Sequence, residues 1–144
     1  MEMRSRFERC IETGKIVPIR KDPALVSKEI LEAENDLESA KDSLVRENFK
    51  WAIVQGYYSQ FHSLRALVFK EGYREKTHSC LRSAAEALLL DKGLIDSEVT
   101  EGFSYSMRVR EAADYNSTYK ENTAVDVVET AERTLWIAKG LIGK

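Results

Sequence analysis

Apolar residues recur at alternating three- and four-residue steps along most of the chain, and that rhythm predicts its elements. Over residues 22–48, Val26, Ile30, Ala33, Leu37, Ala40 and Leu44 make one stripe on a long amphipathic helix. Asp22 is placed to cap it, and Pro23 at the first helical position loses only an amide that would have no partner there. Its other faces carry Lys28, Glu32, Glu34, Asp36, Glu38 and Lys41, a mixture of signs that reads as a solvated surface. Residues 49–71 differ: Trp51, Val54, Tyr57, Tyr58, Phe61, Leu64, Leu67 and Val68 form an apolar surface too wide for a two-helix seam. That helix should be central.

Gly72 is a helix stop, and residues 73–76 read as a turn. Thr77 or Ser79 then caps a third helix with Leu81, Ala84, Ala85, Leu88 and Leu89 inward, ending at Gly93. Asp96 or Ser97 caps a fourth, with Val99, Phe103, Met107 and Ala113. The last, over 123–142, repeats the stripe with Ala124, Val128, Ala131, Leu135, Ala138 and Ile142, and residues 4–13 add a short helix with Phe7, Cys10 and Ile11 inward. No segment shows strict strand alternation. The expected fold is all-α: an antiparallel up-and-down helical bundle of four long helices plus one or two short ones, in a single domain over residues 1–144.

Charge narrows the function classes. The formal net charge of −2, with 32% of residues charged and both signs interspersed, gives no global field for nucleic acid or acidic membranes, so any RNA contact must be local and DNA is not expected. The first twenty residues hold no continuous apolar core of a signal peptide, and no apolar run reaches the roughly 18 residues of a membrane span. Cys10 and Cys80 match no metal-ligand spacing and read as reduced thiols of a cytoplasmic protein.

The chemistry available is limited. There is no HExxH, CxxC, Walker A or GxSxG pattern, so neither a metal nor a cofactor is implied. Imidazole chemistry would have to use His62 or His78. His62, mid-helix and four residues from Tyr58, reads as a hydrogen-bonded core or interface group. Lys76 and His78 flank a helix start, where unpaired amides and the helix dipole favour anions, although ordinary capping and surface charge are the favoured account of them. In Met107 to Tyr115, Arg110 and Asp114 stand four apart and Arg108 and Tyr115 seven apart on a predicted helix. The plain account is an intrahelical ion pair; the functional one is a phosphate held by Arg110 and oriented by Asp114.

The stretch YYSQFHSLRALVFKEGYREKTHSCL resembles the central segment of HEPN domains, and RVREAADY resembles the segment that follows it there. The N-terminal ETGKIVPIRKDPALVSKEILEAENDLESAKDSL is similar to the opening of the uncharacterised HEPN branch known as UPF0332. The resemblance implies a helical bundle, a homodimer, and a gene partner that is a minimal nucleotidyltransferase in a toxin–antitoxin-like pair. It also implies metal-independent RNA cleavage wherever an Arg is followed, after four to six residues, by a His. This chain departs from that pattern. With five residues intervening, Arg108 is followed by Asp114 and not by His, Arg110 has no downstream His, and Arg74 precedes His78 by only three intervening residues. The expectation is a dimeric partner of a nucleotidyltransferase, non-nucleolytic or weakly active, that binds nucleotide through Lys76, His78, Arg110 and Tyr115. The alternatives are a ribonuclease toxin using Arg108, Arg110 and Asp114, and a scaffold bundle without a ligand.

Overall fold

A computed structural model describes residues 2–116 and 119–143, with side chains over 5–112 and 119–143. Among the described residues the elements are α1 (Glu2–Glu12), β1 (Ile16–Pro18), α2 (Pro23–Val45), α3 (Phe49–Lys70), β2 (Tyr73–Glu75), α4 (His78–Ala85, continued by a π-helical turn Glu86–Leu90), α5 (Ser97–Asn116) and α6 (Glu121–Ile142). The sequence-predicted caps form: Asp22 accepts the Ala24 amide at 2.9 Å, Thr77 the Cys80 amide at 3.1 Å, and Asp96 the Glu98 amide at 3.0 Å. No described helix is long and apolar enough to cross a membrane.

The wide apolar surface of α3 is consumed inside the chain. Tyr57, Leu64, Ala66 and Val68 are fully buried, and α2, α4, α5 and α6 all pack against this helix. Only Trp51 of the predicted set stays out, 48% exposed. Close approach is set by Gly56, where a Cβ would lie 2.9 Å from Val127 Cγ1 of α6. Buried polar groups of α3 also bridge helices: Ser59 donates to the Ala33 carbonyl, and Gln60 donates to Ser106 Oγ of α5 at 2.8 Å. Each bond satisfies a donor whose burial alone would be costly, while the buried Gln60 Oε1 has no partner among the described residues.

Three features depart from the sequence reading. Residues 73–76 are not a simple turn. Tyr73–Glu75 pairs antiparallel with Ile16–Pro18, and the Lys76 amide extends the ladder to the Lys15 carbonyl. Three-residue strands are too short to show alternation. Second, Ile11 is 38% exposed, because α1 buries only the Phe7 and Cys10 side of its surface. Third, Cys10 and Cys80 form a disulfide, not reduced thiols. Packing of α1 on α4 brings their Cα atoms to 6.0 Å despite a separation of 70 residues, so distance along the chain was no guide. The reduced-thiol argument for a cytoplasmic compartment loses its support. Closing a loop of that length restricts the unfolded chain by about 4 kcal/mol in the chain-entropy model.

The α2–α3 turn holds one strained residue. The Glu47 amide bonds to the Leu44 carbonyl and the Asn48 amide to that of Ser43, a helix ending that places Glu47 at φ +61°. Gly14 fills the equivalent place after α1 at φ +72°. Glu47→Gly should therefore stabilise the fold, by about 0.5–1 kcal/mol after the entropy cost of glycine. Urea unfolding checks this; a lower midpoint for the variant would contradict it.

Candidate functional site

The site is built outward from Tyr57 on α3. Its ring is fully buried, stacked on Phe103 of α5 with centroids 5.4 Å apart, and its hydroxyl meets Nδ1 of His78 at the start of α4. Thr77 capping fixes that first turn, and the His78 ring stacks on Phe61 at 4.6 Å. From α5, Arg110 lays its guanidinium 4.8 Å from the Tyr57 ring centroid and 5.7 Å from that of Tyr58, and donates to the Tyr58 hydroxyl at 3.2 Å. Its Nε is buried and has no hydrogen-bond partner among the described residues. The result is a half-buried corner where α3, α4 and α5 bring an arginine and a histidine to the same tyrosine.

Electrostatics sets the protonation of this corner. Burial raises the Tyr57 hydroxyl well above its usual range, against the opposing pull of Arg110, so it keeps its proton. Burial lowers His78, and the positive charges of Arg110 and Arg65 lower it further, with Glu111 opposing. His78 is therefore neutral at pH 7. A tyrosine that keeps its proton must place it on an acceptor, and Nδ1 is the one within reach. The His78 proton then sits on Nε2, where it can be donated to a ligand.

Of the residues singled out in the sequence, His78 and Arg110 converge. Lys76 and Arg108 are exposed, and neither makes a hydrogen bond, ion pair or ring contact with the corner. Two steps along a helix turn Arg108 about 200° away from Arg110. The side chains of Asp114 and Tyr115 lie outside the described residues. His62 is a satisfied polar group: Nδ1 meets Glu29 at 2.8 Å and Nε2 lies 3.7 Å from Asp36, both on α2. Asp36 is thus not simply solvated; burial raises its carboxyl, against the opposing charge of His62. Arg65 extends this network to the buried Glu75 of β2 at 3.2 Å. Sequence reasoning passed over Tyr57 and Phe61 as core and did not see that they seat His78. Their signal was the aromatic run Tyr57, Tyr58, Phe61 one helical turn deep.

A lowered His78 has a defined pH signature. Between its folded value and the ordinary value of about 6.5, the unfolded chain binds more protons, so stability should fall as pH drops through about 6.5 and this loss should level off below the folded value. The raised carboxyls of Asp36 and Glu75 act at lower pH with the opposite sign. Arg110→Gln should raise the His78 value and shrink its acid loss. Imidazole proton shifts followed by NMR, with urea midpoints across pH 5–8, test both; a His78 titrating at or above 6.5 would contradict the assignment.

Comparison with known proteins agrees with this architecture. A protein of Methanocaldococcus jannaschii named "Putative toxin MJ0142" is 28% identical over 104 residues, covering 72% of this chain and 70% of that protein. A family model described as HEPN domain matches residues 26–141, from the first turn of α2 to the last of α6, a span that holds Tyr57, Tyr58, His78 and Arg110. The chain belongs to the HEPN domain family.

Proposed function

We propose that this HEPN protein binds the phosphate of a nucleotide at the Arg110, Tyr58 and His78 corner without efficient RNA cleavage, and acts as the partner of a minimal nucleotidyltransferase in a toxin–antitoxin-like pair. The observation that carries the reading is the Tyr57 hydroxyl on His78 Nδ1. Metal-free cleavage of RNA needs a base with a free lone pair at the 2′-hydroxyl. Here one ring nitrogen accepts from Tyr57 and the other holds a proton, so the imidazole offers a donor to a phosphate oxygen. Arg110 supplies the charge and the terminal N–H donors of its guanidinium, one of which already reaches the Tyr58 hydroxyl at 3.2 Å. A phosphate satisfies both.

The second reading is a ribonuclease toxin. It is favoured by the meeting of His78 and Arg110 on one tyrosine, and by the name of the Methanocaldococcus relative. The two separate cleanly. On the binding reading, a mononucleotide raises the melting temperature of the wild type, Arg110→Ala abolishes that shift, and labelled RNA stays intact with either protein. RNA cut by the wild type and spared by His78→Ala would overturn it in favour of the toxin. Light scattering of the chain alone and mixed with a nucleotidyltransferase encoded beside it reads the assembly; a monomer that ignores the partner would remove that part of the proposal.

A further inference from the structure

On the other flank of α4 from His78 lies a second cationic feature. Arg6 and Arg9 from α1 and Lys15 from the turn between α1 and β1, with Ser79 and Ser83 from α4, line a cleft of about 300 Å³ whose floor includes the Cys10–Cys80 disulfide. No carboxylate is among its lining residues. Arg6 is engaged by Glu86 at 3.2 Å, whereas the exposed Arg9 and Lys15 side chains have no ion-pair or hydrogen-bond partner among the described residues. The two walls are fixed. The disulfide joins α1 to α4, and the Lys76 amide bonds to the Lys15 carbonyl, which ties Lys15 to the strand leading into His78. Thr77 takes the Cys80 amide, so the His78 and Ser79 amides at the start of α4 have no acceptor within the helix. Cleft and corner thus flank one helix start, with unpaired donors between them.

We propose that this cleft is a phosphate subsite: it holds a backbone phosphate of a single-stranded polynucleotide whose neighbouring nucleotide occupies the Arg110 and His78 corner. The proposal rests on the nucleotide-binding reading of that corner and adds a strand to it. A lone nucleotide would fill only the corner. A strand crossing the start of α4 would meet Arg110 and His78 on one side, the free amides at the middle, and Arg9 and Lys15 on the other.

The test titrates the full, disulfide-intact chain with uridine monophosphate, with a five-residue oligouridylate and with inorganic phosphate, at several salt concentrations. The oligomer should bind at least tenfold more tightly than the mononucleotide. The double variant Arg9→Ala/Lys15→Ala, at two exposed positions, should lose most of that difference and about 0.7 from the salt slope, the share of one phosphate, while keeping its mononucleotide affinity. The control Lys28→Ala/Lys120→Ala should change neither. Equal oligomer affinity in wild type and double variant, or an equal loss in the control, would overturn the subsite. Saturation of the cleft by inorganic phosphate as tightly as by the oligomer would make it a free-anion site and overturn the strand. If the mononucleotide fails to bind while oligomer binding still depends on Arg9 and Lys15, the corner reading fails and the cleft stands. Failure of both ligands sinks both.

Discussion

The hydroxyl of Tyr57 is a polar group at a depth where an unpaired one would cost on the order of 1–3 kcal/mol. Its partner cannot come from α3 itself. It comes from the first residue of α4, so satisfying one buried hydroxyl fixes where α4 begins, how His78 is turned, and which nitrogen carries its proton. Arg110 then packs on the same ring from α5. Packing, hydrogen bonding and protonation at the corner are one solution to one constraint, and a lowered His78 is its electrostatic expression.

The rest of the fold serves the same placement. Gly56 lets α6 close on α3, and Gln60 spans from α3 to α5, so the helix bearing Tyr57 is held along both its flanks. The other face of α3 carries a second polar network in which His62 meets the buried Glu29 at 2.8 Å and Arg65 reaches the buried Glu75 at 3.2 Å. That network reaches β2, and β2 leads directly into Thr77 and His78. The disulfide and the β1–β2 ladder clamp the same junction from the side of α1. Three independent restraints therefore converge on a short segment between Glu75 and Cys80.

Much of this could be read from the sequence where the signal was local. Asp22 and Thr77 cap as their types demand, and the stripes of α2 and α6 are buried at Ala33, Leu37, Ala40, Ala124, Val128 and Ala131. What could not be read depends on contacts between distant segments. The Cys10–Cys80 bond, the three-residue ladder and the Glu29–His62 pair have no periodic trace. The corner is the clearest case. A spacing rule that seeks a histidine after an arginine finds Asp114 after Arg108 and stops, yet His78, which precedes Arg110 in the chain, meets it through Tyr57 in space. Order along the sequence is not order around a site.

The direction of the Tyr57–His78 hydrogen bond is read most directly by imidazole nitrogen shifts in a long-range proton–nitrogen correlation spectrum at pH 7. His78 should be a neutral ring with a protonated Nε2 and an acceptor-type Nδ1, and Tyr57→Phe should change the shift at Nδ1. A ring protonated on Nδ1 with a bare Nε2 would contradict it and return His78 to the role of a base.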